Sequence, residues 1–461
     1  MSSNVSSRQR MSSCLAMVLW ILAVPFVAQR GRCEEPAAPP KPNAIPDTEL
    51  LRLFADTLDQ VERNYVKPVD RRELMEAAIR GMLARLDPHS AYIPPADLDR
   101  FRTGIENEFG GIGVTVTAVE GALTVVSPLY GTPAYKAGVR GGDTILEIDG
   151  LAAAGISVDE AVARVKGPIG SPVKLTLKHA ASGTTETIEI ARAVVHVDSV
   201  LGDRRKADDT WNFLLDEDRK IGYIRIVNFS RNTADELRSA LGELKRQELK
   251  GLILDLRFNP GGLLTAAIEV SDLFVSSGRI VSTSGRTGTI RKWDAHEPGT
   301  FEGFPMVVLV NRFSASASEI VAACLQDHHR AAIVGQRTWG KGSVQNVIEL
   351  EDGKSALKLT TAGYQRPSGQ NIHRFEGAAE SDEWGVKPDS GLEVILTPDE
   401  IEAYHAERRQ RDAIVARAAD QPAAPAAKYD KQLQVSFDHL LKQLEKDLAQ
   451  KDPAQKPAEQ P

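Results

Sequence analysis

The residues of this sequence that could carry out chemistry are concentrated between positions 311 and 345. The letters NRFSASASEIVAACLQDHHRAAIVGQRTWGKGSVQ predict a strand end, a serine-rich turn, a helix, a strand and a loop. Ser316 stands directly before the predicted helix, and Lys341 lies between Gly340 and Gly342. A serine and a lysine in these settings are candidates for a nucleophile and its base.

A serine hydroxyl is a poor nucleophile and needs a base within hydrogen-bonding reach. Histidine is the usual base, but the sequence contains no Gly-x-Ser-x-Gly elbow. Lysine can replace it only if desolvation lowers its pKa, so that the amine is neutral near pH 7. Lys341 follows the apolar strand Ala331 to Val334 and Trp339, which favours desolvation. The helix that begins at Ala317 offers unpaired N–H groups to an oxyanion.

The spacing alone also allows a purely structural interpretation. Ser316-x-x-Glu319 is a capping box, and capping is a routine role for a serine at a helix start. A lysine between two glycines is commonly a solvated loop residue. These residues by themselves therefore leave both a cap and a nucleophile open.

The elements around this stretch predict a layered core of strands and helices. Apolar runs indicate buried strands, and stretches with helical periodicity separate them. A glycine turn, Asn259-Pro-Gly-Gly262, follows the second strand. The predicted strands are Ile221 to Val227, Leu252 to Leu256 and Met306 to Val310, and the helices are Ala234 to Lys245 and Leu263 to Val275.

Residues Glu108 to Ala193 have a different pattern, with short β-branched runs separated by glycines. Pro133-Ala134, Ala137-Gly138 and Gly142-Asp143-x-Ile145 resemble a PDZ domain of the bacterial protease type. The resemblance implies that a glycine-rich loop binds the C-terminal carboxylate of a peptide, which adds as a strand to the sheet edge. The glycines alone would indicate an ordinary tight turn. The implied loop consists of Gly111, Ile112, Gly113 and Val114.

An ordered series of motifs resembles the C-terminal processing peptidases, which are serine proteases of the tail-specific class (subfamily A of peptidase family S41). The series covers most of residues 50 to 395. Its members are Leu86-Asp-Pro-His-Ser90, Asp255-Leu-Arg257, Asn259-Pro-Gly-Gly262, Ser314-Ala-Ser-Ala-Ser-Glu319, Gln326-Asp327 and Gly340-Lys-Gly-Ser-Val-Gln345.

The resemblance assigns roles to individual residues. Ser316 is implied to be the nucleophile, Lys341 the general base and Gln345 the residue that orients the lysine amine. The backbone N–H groups of Ala317 and Gly262 are implied to form the oxyanion hole. The implied reaction is acyl transfer without a metal or other cofactor.

Three places in the sequence bear on how far the family's roles and contacts carry over. Asp327 occupies a family position for a supporting acid, but it is interpreted as structural because it has no obvious proton to move. Lys166-Gly167 replaces the usual Arg-Gly near the end of the PDZ helix, and Tyr364 to Gly369 departs from the common Tyr-Tyr-x-Pro-Ser-Gly run. The latter change puts local substrate contacts in doubt.

The N-terminus predicts export. Arg8 and Arg10 precede the apolar run Cys14 to Ala28, which has the length of a signal-peptide core and is short for a spanning helix. Cleavage after Ala28 and retention as a membrane tether both remain open. The net charge of -7, without a basic patch, argues against nucleic acid as a partner. The cysteines form no disulfide framework or metal cluster in the sequence.

The expected fold is α+β and multidomain, with an N-terminal helical segment, a PDZ β-sandwich-like domain, a mixed β/α protease core and C-terminal helices. By resemblance the core is related to the crotonase superfamily. The apolar stripe from Leu433 to Leu448 predicts an amphipathic helix that packs on its own domain or on a second subunit. The expected boundaries are 1–33 for the signal peptide or anchor, 34–48 for a proline-rich linker, 49–100 for the helical domain, 101–195 for the PDZ domain, 196–400 for the Ser-Lys core and 401–461 for the C-terminal helices and tail.

These observations predict an exported, periplasmic or otherwise extracytoplasmic endopeptidase that captures C-terminal tails by its PDZ domain and cleaves them. Its partners would be unfolded or C-terminal polypeptides, with a homo-oligomer or an adaptor protein as further expectations. The alternative is a non-catalytic PDZ scaffold that only binds protein C-termini.

Overall fold

The computed structural model describes residues 46–451, except Thr287, Thr289 and 416–429. The expected signal peptide or anchor (1–33), most of the proline-rich linker and the C-terminal tail lie outside the described residues. Within the described part of the chain, no helix is both long and apolar enough to cross a membrane.

The chain divides into two compact units, residues 1–71 and residues 72–461. In the first unit, helix α1 (Asp47–Asn64) has the apolar spacing that the sequence predicted, and Leu58 on its apolar face is buried. Helix α2 (Arg71–Leu83) begins at the boundary. Strand β1 (Ala91–Ile93) and helix α3 (Pro95–Glu106) follow in the second unit.

The segment that resembles a PDZ domain folds as an antiparallel sheet with two short helices. The sheet order is β3-β4-β5-β7-β8, with β6 on β5, while β2 pairs with β9. Ile112 is fully buried and Gly113 has a φ of +78°, so this loop separates β2 from β3, which starts only at Val114. The elements are β2 (Glu108–Gly111), β3 (Val114–Val119), β4 (Ala122–Pro128), α4 (Pro133–Lys136), β5 (Thr144–Ile148), β6 (Leu151–Ala152), α5 (Val158–Val165), β7 (Pro172–Lys178), β8 (Thr185–Ala191) and β9 (Ala193–His196).

The core contains a central sheet in the order β10-β14-β15-β18-β19, in which β14, β15, β18 and β19 run parallel. These strands are almost wholly apolar because helices cover both faces of the sheet. The strands of this sheet are β10 (Val200–Leu201), β13 (Leu214–Asp216, paired with β14), β14 (Ile221–Ile226), β15 (Gly251–Asp255), β18 (Met306–Val310) and β19 (Ala332–Gly335). Strands β11 (Arg204–Arg205) and β12 (Trp211–Asn212) form a separate antiparallel pair.

Helices α6 (Thr233–Arg246), α7 (Leu264–Asp272) and α8 (Ala317–Asp327) pack on one face of this sheet. Every residue of α8 from Ala317 to Leu325 is buried. Helix α10 (Lys431–Lys451) lies on the opposite face, where Leu433 and Leu440 contact the strands, and α9 (Pro398–Asp412) precedes it. The apolar stripe of the C-terminal helix therefore packs on its own domain.

A second, antiparallel sheet in the order β1-β21-β16-β17 carries the remaining strands, with β20 on β21. Strand β1 pairs with β21 through Ala91 and Lys358, so a strand that the sequence analysis did not predict joins the core. Strands β20 and β21 form a hairpin whose turn contains Asp352 and Gly353, and an Asp-Gly pair is typical of such turns. The other bounds are β16 (Arg279–Gly285), β17 (Ile290–Asp294), β20 (Ser343–Leu350) and β21 (Ser355–Gln365).

Candidate active site

The predicted site residues follow the carboxyl ends of neighbouring parallel strands. The glycine turn 259–262 follows β15, Ser316 follows β18, and Lys341 follows β19. Because these strands are adjacent and parallel, their ends lie at the same edge of the sheet. The sheet thus brings together three segments that are separated along the sequence.

The turn that carries Ser316 is bound to the glycine turn by several hydrogen bonds. The hydroxyl of Ser314 donates to the carbonyl of Leu256 at 2.8 Å. The carbonyl of Asn259 accepts from the Ala315 N–H and from the Ser318 hydroxyl, each at 3.0 Å. Ser316 itself is buried and has a φ of +57°, a strained conformation for a residue with a side chain.

Glu319, one turn into α8, connects the serine turn to the lysine loop. Its Oε2 accepts the backbone N–H of Ser316 and that of Lys341, each at 2.8 Å, so the two nitrogens lie within twice that distance of each other. Its Oε1 accepts the N–H of Gly340 and the hydroxyl of Thr338, each at 2.6 Å. The pKa of Glu319 is raised because its burial outweighs these hydrogen bonds, which act in the opposite direction. A fully buried carboxylate therefore holds the proposed nucleophile and base side by side.

Lys341 lies in surroundings that disfavour its charged form. Burial lowers the pKa of its amine, the positive charge of Lys358 lowers it further, and Glu319 acts in the opposite direction. Among the described residues, no carboxylate forms an ion pair with Lys341. Trp339, which the sequence analysis placed in the desolvating environment, is 55% exposed, so other residues exclude the water.

Gln345 is placed by the hairpin of β20 and β21. It lies opposite Thr360 in the register, next to an irregularity between Val344 and Gln345. Its amide Nε2 donates to the hydroxyl of Ser343 at 2.9 Å and to that of Thr360 at 3.2 Å. The amide group is therefore held in place from the side opposite its carbonyl oxygen.

The two turns that carry the backbone groups expected to form an oxyanion hole are in tight contact at Gly261. Gly261 packs so tightly that an added Cβ would lie 3.0 Å from the Ala317 nitrogen and 2.8 Å from the Ser316 Cβ. The carbonyl of Gly261 and the N–H of Leu263 bond to Phe229, so the N–H of Gly262 points the other way. Within the described residues, neither this N–H nor that of Ala317 has a hydrogen-bond acceptor.

The loop of the PDZ-like segment offers a second set of free N–H groups. The carbonyls of Ile112 and Gly113 accept from Ala134 and Leu129 inside the domain. Their N–H groups, by contrast, have no acceptor in the part of the chain that the structure describes. The loop lines a cavity of about 220 Å³ whose walls are largely apolar and include Val162. This geometry suits a peptide carboxylate with an apolar last residue.

Comparison with known proteins gives consistent matches along the chain. Residues 220–391 match peptidase family S41, residues 110–191 match the PDZ domain, and residues 30–95 match the activating protease CtpB N-terminal domain. A carboxy-terminal-processing protease of Bartonella bacilliformis is 40% identical over 359 residues, which are 77% of this chain and 77% of that protein. The chain belongs to the C-terminal processing proteases of peptidase family S41.

Other relatives of this S41 protease have the same designation. The carboxy-terminal processing protease CtpA of Bacillus subtilis is 37% identical over 338 residues, covering 73% of this chain and 67% of that protein. A solved structure, the photosystem II D1 C-terminal processing protease, is 33% identical, covers 77% of this chain and 94% of that chain, and has a TM-score of 0.42.

Asp327 of this protease is bound by Arg366 and Ser368, which lie in the segment directly after β21. The guanidinium of Arg366 donates to both carboxylate oxygens, with the shortest contact at 2.6 Å, and the N–H of Ser368 donates at 3.0 Å. Burial raises the pKa of Asp327, but the hydrogen bonds from Arg366 and Ser368 outweigh it and lower the value. These contacts support the structural interpretation of Asp327.

Several residues of the site were missed by sequence reasoning. Glu319 was considered only as a helix cap, and Thr360 and Lys358 were not considered at all. Tyr364 was noted only as a departure from the family pattern, yet its side chain forms a hydrogen bond with that of Ser316. Burial raises the pKa of Tyr364 to about 12, although this hydrogen bond acts to lower it. The motif that contains Asp87 was recognised, but its position beside β21 could not be read from its spacing.

Proposed function

We propose that this protease cleaves polypeptides by a Ser-Lys acyl-enzyme mechanism. The observation that carries the proposal is the bonding of Ser316 and Lys341 to the same oxygen of Glu319. Neutral Lys341 takes the proton of the Ser316 hydroxyl as its oxygen attacks the peptide carbonyl. The N–H groups of Ala317 and Gly262 stabilise the oxyanion, and Lys341 then protonates the leaving amine.

The second half of the reaction uses the same groups. Lys341, neutral again after releasing its proton to the amine, takes a proton from the water that attacks the acyl-enzyme. As the bond between the acyl carbon and the Ser316 oxygen breaks, Lys341 returns this proton to that oxygen. The new carboxylic acid is released and loses its own proton to solvent. Gln345 accepts a hydrogen bond from the lysine amine and keeps its lone pair directed toward Ser316. Both steps need a desolvated and neutral amine on Lys341, and the lowered pKa of Lys341 agrees with this requirement.

The substrates that we propose are C-terminal tails of exported proteins. The free N–H groups of Ile112 and Gly113 bind the terminal carboxylate, and the apolar cavity beside them takes the last side chain. The pattern of residues 1–33 supports export to the periplasm or another extracytoplasmic space, with a cleaved signal or a membrane tether. A homo-oligomer or an adaptor protein is a further part of this proposal.

The test measures cleavage of an unfolded reporter with an apolar C-terminus. We expect Ser316→Ala and Lys341→Ala to lower kcat by roughly 10⁴-fold or more, because each removes a member of a unit that acts together. Matched controls are Ser271→Ala, whose hydroxyl bonds within α7, and Lys354→Ala at the exposed hairpin turn. Cleavage by both active-site variants at the wild-type rate would overturn the Ser-Lys mechanism. Binding of the reporter by the wild type without cleavage above a blank that lacks the protein would favour the PDZ scaffold instead.

A further inference from the structure

Asp87, at the start of the segment Asp87-Pro-His-Ser90, is a carboxylate with all of its hydrogen bonds directed toward it. Its Oδ1 accepts the N–H of His89 at 2.7 Å and that of Ser90 at 2.8 Å, and its Oδ2 accepts the Ser90 hydroxyl at 2.8 Å. Burial raises the pKa of Asp87, but these bonds outweigh it and lower the value. Asp87 is therefore ionised near neutral pH, and an ionised carboxylate only accepts.

The pairing of β1 with β21 brings this carboxylate to Thr360. The Thr360 hydroxyl lies 3.2 Å from the Asp87 Oδ1, and the Thr360 N–H donates to the Ser90 hydroxyl at 3.1 Å. A hydroxyl has one proton to donate. Because Asp87 can only accept, that proton is directed to Asp87, and the Thr360 oxygen must accept from its other neighbour.

That other neighbour is Gln345, whose amide group has an oxygen end and a nitrogen end of nearly equal size. Its Nε2 lies 3.2 Å from the Thr360 hydroxyl and 2.9 Å from the Ser343 hydroxyl. An amide is oriented by its hydrogen-bond network. Here Asp87 can only accept, so the Thr360 hydroxyl donates to Asp87 and accepts from Gln345. The Gln345 group that faces Thr360 is therefore the NH₂ group. Among the described residues, the carbonyl oxygen of Gln345 has no hydrogen-bond donor.

We infer that Asp87 and Thr360 are positioning residues that fix the Gln345 amide so that its carbonyl oxygen accepts from the Lys341 amine. The inference rests on the proposed function, in which Lys341 is the base and Gln345 orients it. With the carbonyl toward Lys341, the amine donates to Gln345 and its lone pair is left for the Ser316 proton. If the amide turned around, its NH₂ group would compete with Ser316 for that lone pair.

The decisive variant is Thr360→Val, which removes the hydroxyl and keeps the shape of the side chain. We expect kcat to fall about tenfold, the equivalent of one hydrogen bond, with KM changed by less than about twofold. Thr360→Ser keeps the hydroxyl and is expected to retain at least about half of the wild-type kcat. The matched control is Thr361→Val on the same strand, because the Thr361 hydroxyl has no partner among the described residues.

A double-mutant cycle separates positioning from general damage to the hairpin. If Thr360 acts through Gln345, then Thr360→Val lowers kcat about tenfold in the wild type and by less than about twofold in a Gln345→Ala background. An equal loss in both backgrounds would overturn the inference. Equal damage by Thr360→Ser and Thr360→Val would overturn it as well.

The pH profile of kcat gives an independent readout. Lys358, Glu319 and His89 are the charged or titratable groups that interact with Lys341, and all remain in Thr360→Val. Loss of the fixed carbonyl removes an acceptor that favours the ammonium form, so the ascending limb is expected to move to lower pH while the plateau falls. A lower plateau with an unmoved limb would contradict the inference.

Failure of the positioning role can be distinguished from failure of the proposed Ser-Lys mechanism. If Ser316→Ala and Lys341→Ala are inactive while Thr360→Val behaves as wild type, the dyad stands and the positioning role is wrong. If Ser316→Ala retains full activity, the mechanism itself is wrong, whatever Thr360→Val does.

Discussion

Two turns of this molecule leave backbone N–H groups free, and they are held in different ways. In the core, the free groups of Ala317 and Gly262 follow the ends of neighbouring parallel strands. There the buried carboxylate of Glu319 connects the serine turn to the lysine loop. In the PDZ domain, those of Ile112 and Gly113 are held mainly by backbone hydrogen bonds to the following turn. In the proposed function, the same chemical group thus stabilises an oxyanion in one place and binds a peptide carboxylate in the other.

The difference reflects what each site has to do. An oxyanion forms for an instant, and its donors must already be in place, so a buried and polar scaffold is an advantage. A peptide carboxylate is present throughout binding, and its loop needs access more than rigidity. Variants of the two sites should therefore change different kinetic constants.

Outside the Ser316 and Lys341 pair, the largest effect is expected from Glu319→Gln. An amide can replace only one of the two oxygens that accept from Ser316, Lys341 and Gly340, so at least one buried N–H loses its acceptor. We expect kcat to fall about 100-fold through misplacement of the nucleophile and base, and Tm to fall by several degrees. Steady-state kinetics and thermal unfolding measure the two effects.

The control for this variant is Glu236→Gln in α6. Glu236 also accepts from two backbone N–H groups, those of Ser199 and Val200 at 2.8 and 2.9 Å at the start of β10, but it does not contact the site. It should lower Tm to a similar degree and leave kcat within about twofold. A Glu319→Gln enzyme with unchanged kcat would show that the connection is structural only.

A smaller effect, on the other kinetic constant, is expected from Val162→Glu in the PDZ cavity. A carboxylate beside the free N–H groups repels the terminal carboxylate of the substrate, so KM should rise about tenfold with kcat unchanged. The control is Val119→Glu, which is exposed on the hairpin of β3 and β4. A reporter with an amidated C-terminus should not distinguish Val162→Glu from the wild type. A loss confined to kcat would contradict the division of roles.

The smallest effect is expected from Lys358→Gln, which tests how neighbouring charge sets the state of the base. Lys341 must be neutral to act, so activity is present above its pKa and lost as the pH falls. Removing the positive charge of Lys358 makes the ammonium form less unfavourable and raises that pKa. The ascending limb of the kcat profile should move to higher pH, with about threefold less activity at pH 7 and an unchanged high-pH plateau.

The outcome for Lys358→Gln is checked against Lys354→Gln in the same hairpin, whose charge is not among those that shift the Lys341 pKa. An unmoved limb in Lys358→Gln would show that burial alone sets the pKa. The comparison then separates desolvation from like-charge repulsion as causes of a neutral lysine.

Much of the fold could be predicted because its elements have strong local patterns. The helix that was expected to begin at Ala317 does begin there and runs to Asp327. The buried strands were recognisable as continuous apolar runs. Strand β1 was missed because three residues between two helices give no period to detect.

The sequence by itself determined the residue types of the site, the order of its segments and the strand pattern that brings their ends to one edge. It could not decide whether Ser316 caps a helix or attacks a substrate, since both uses place a serine at the same position. Only the tertiary structure showed that Glu319 binds Ser316 and Lys341 together and that β1 brings Asp87 to Thr360. The physical reason is that burial and hydrogen bonds between distant residues depend on strand register and packing, which local spacing does not encode.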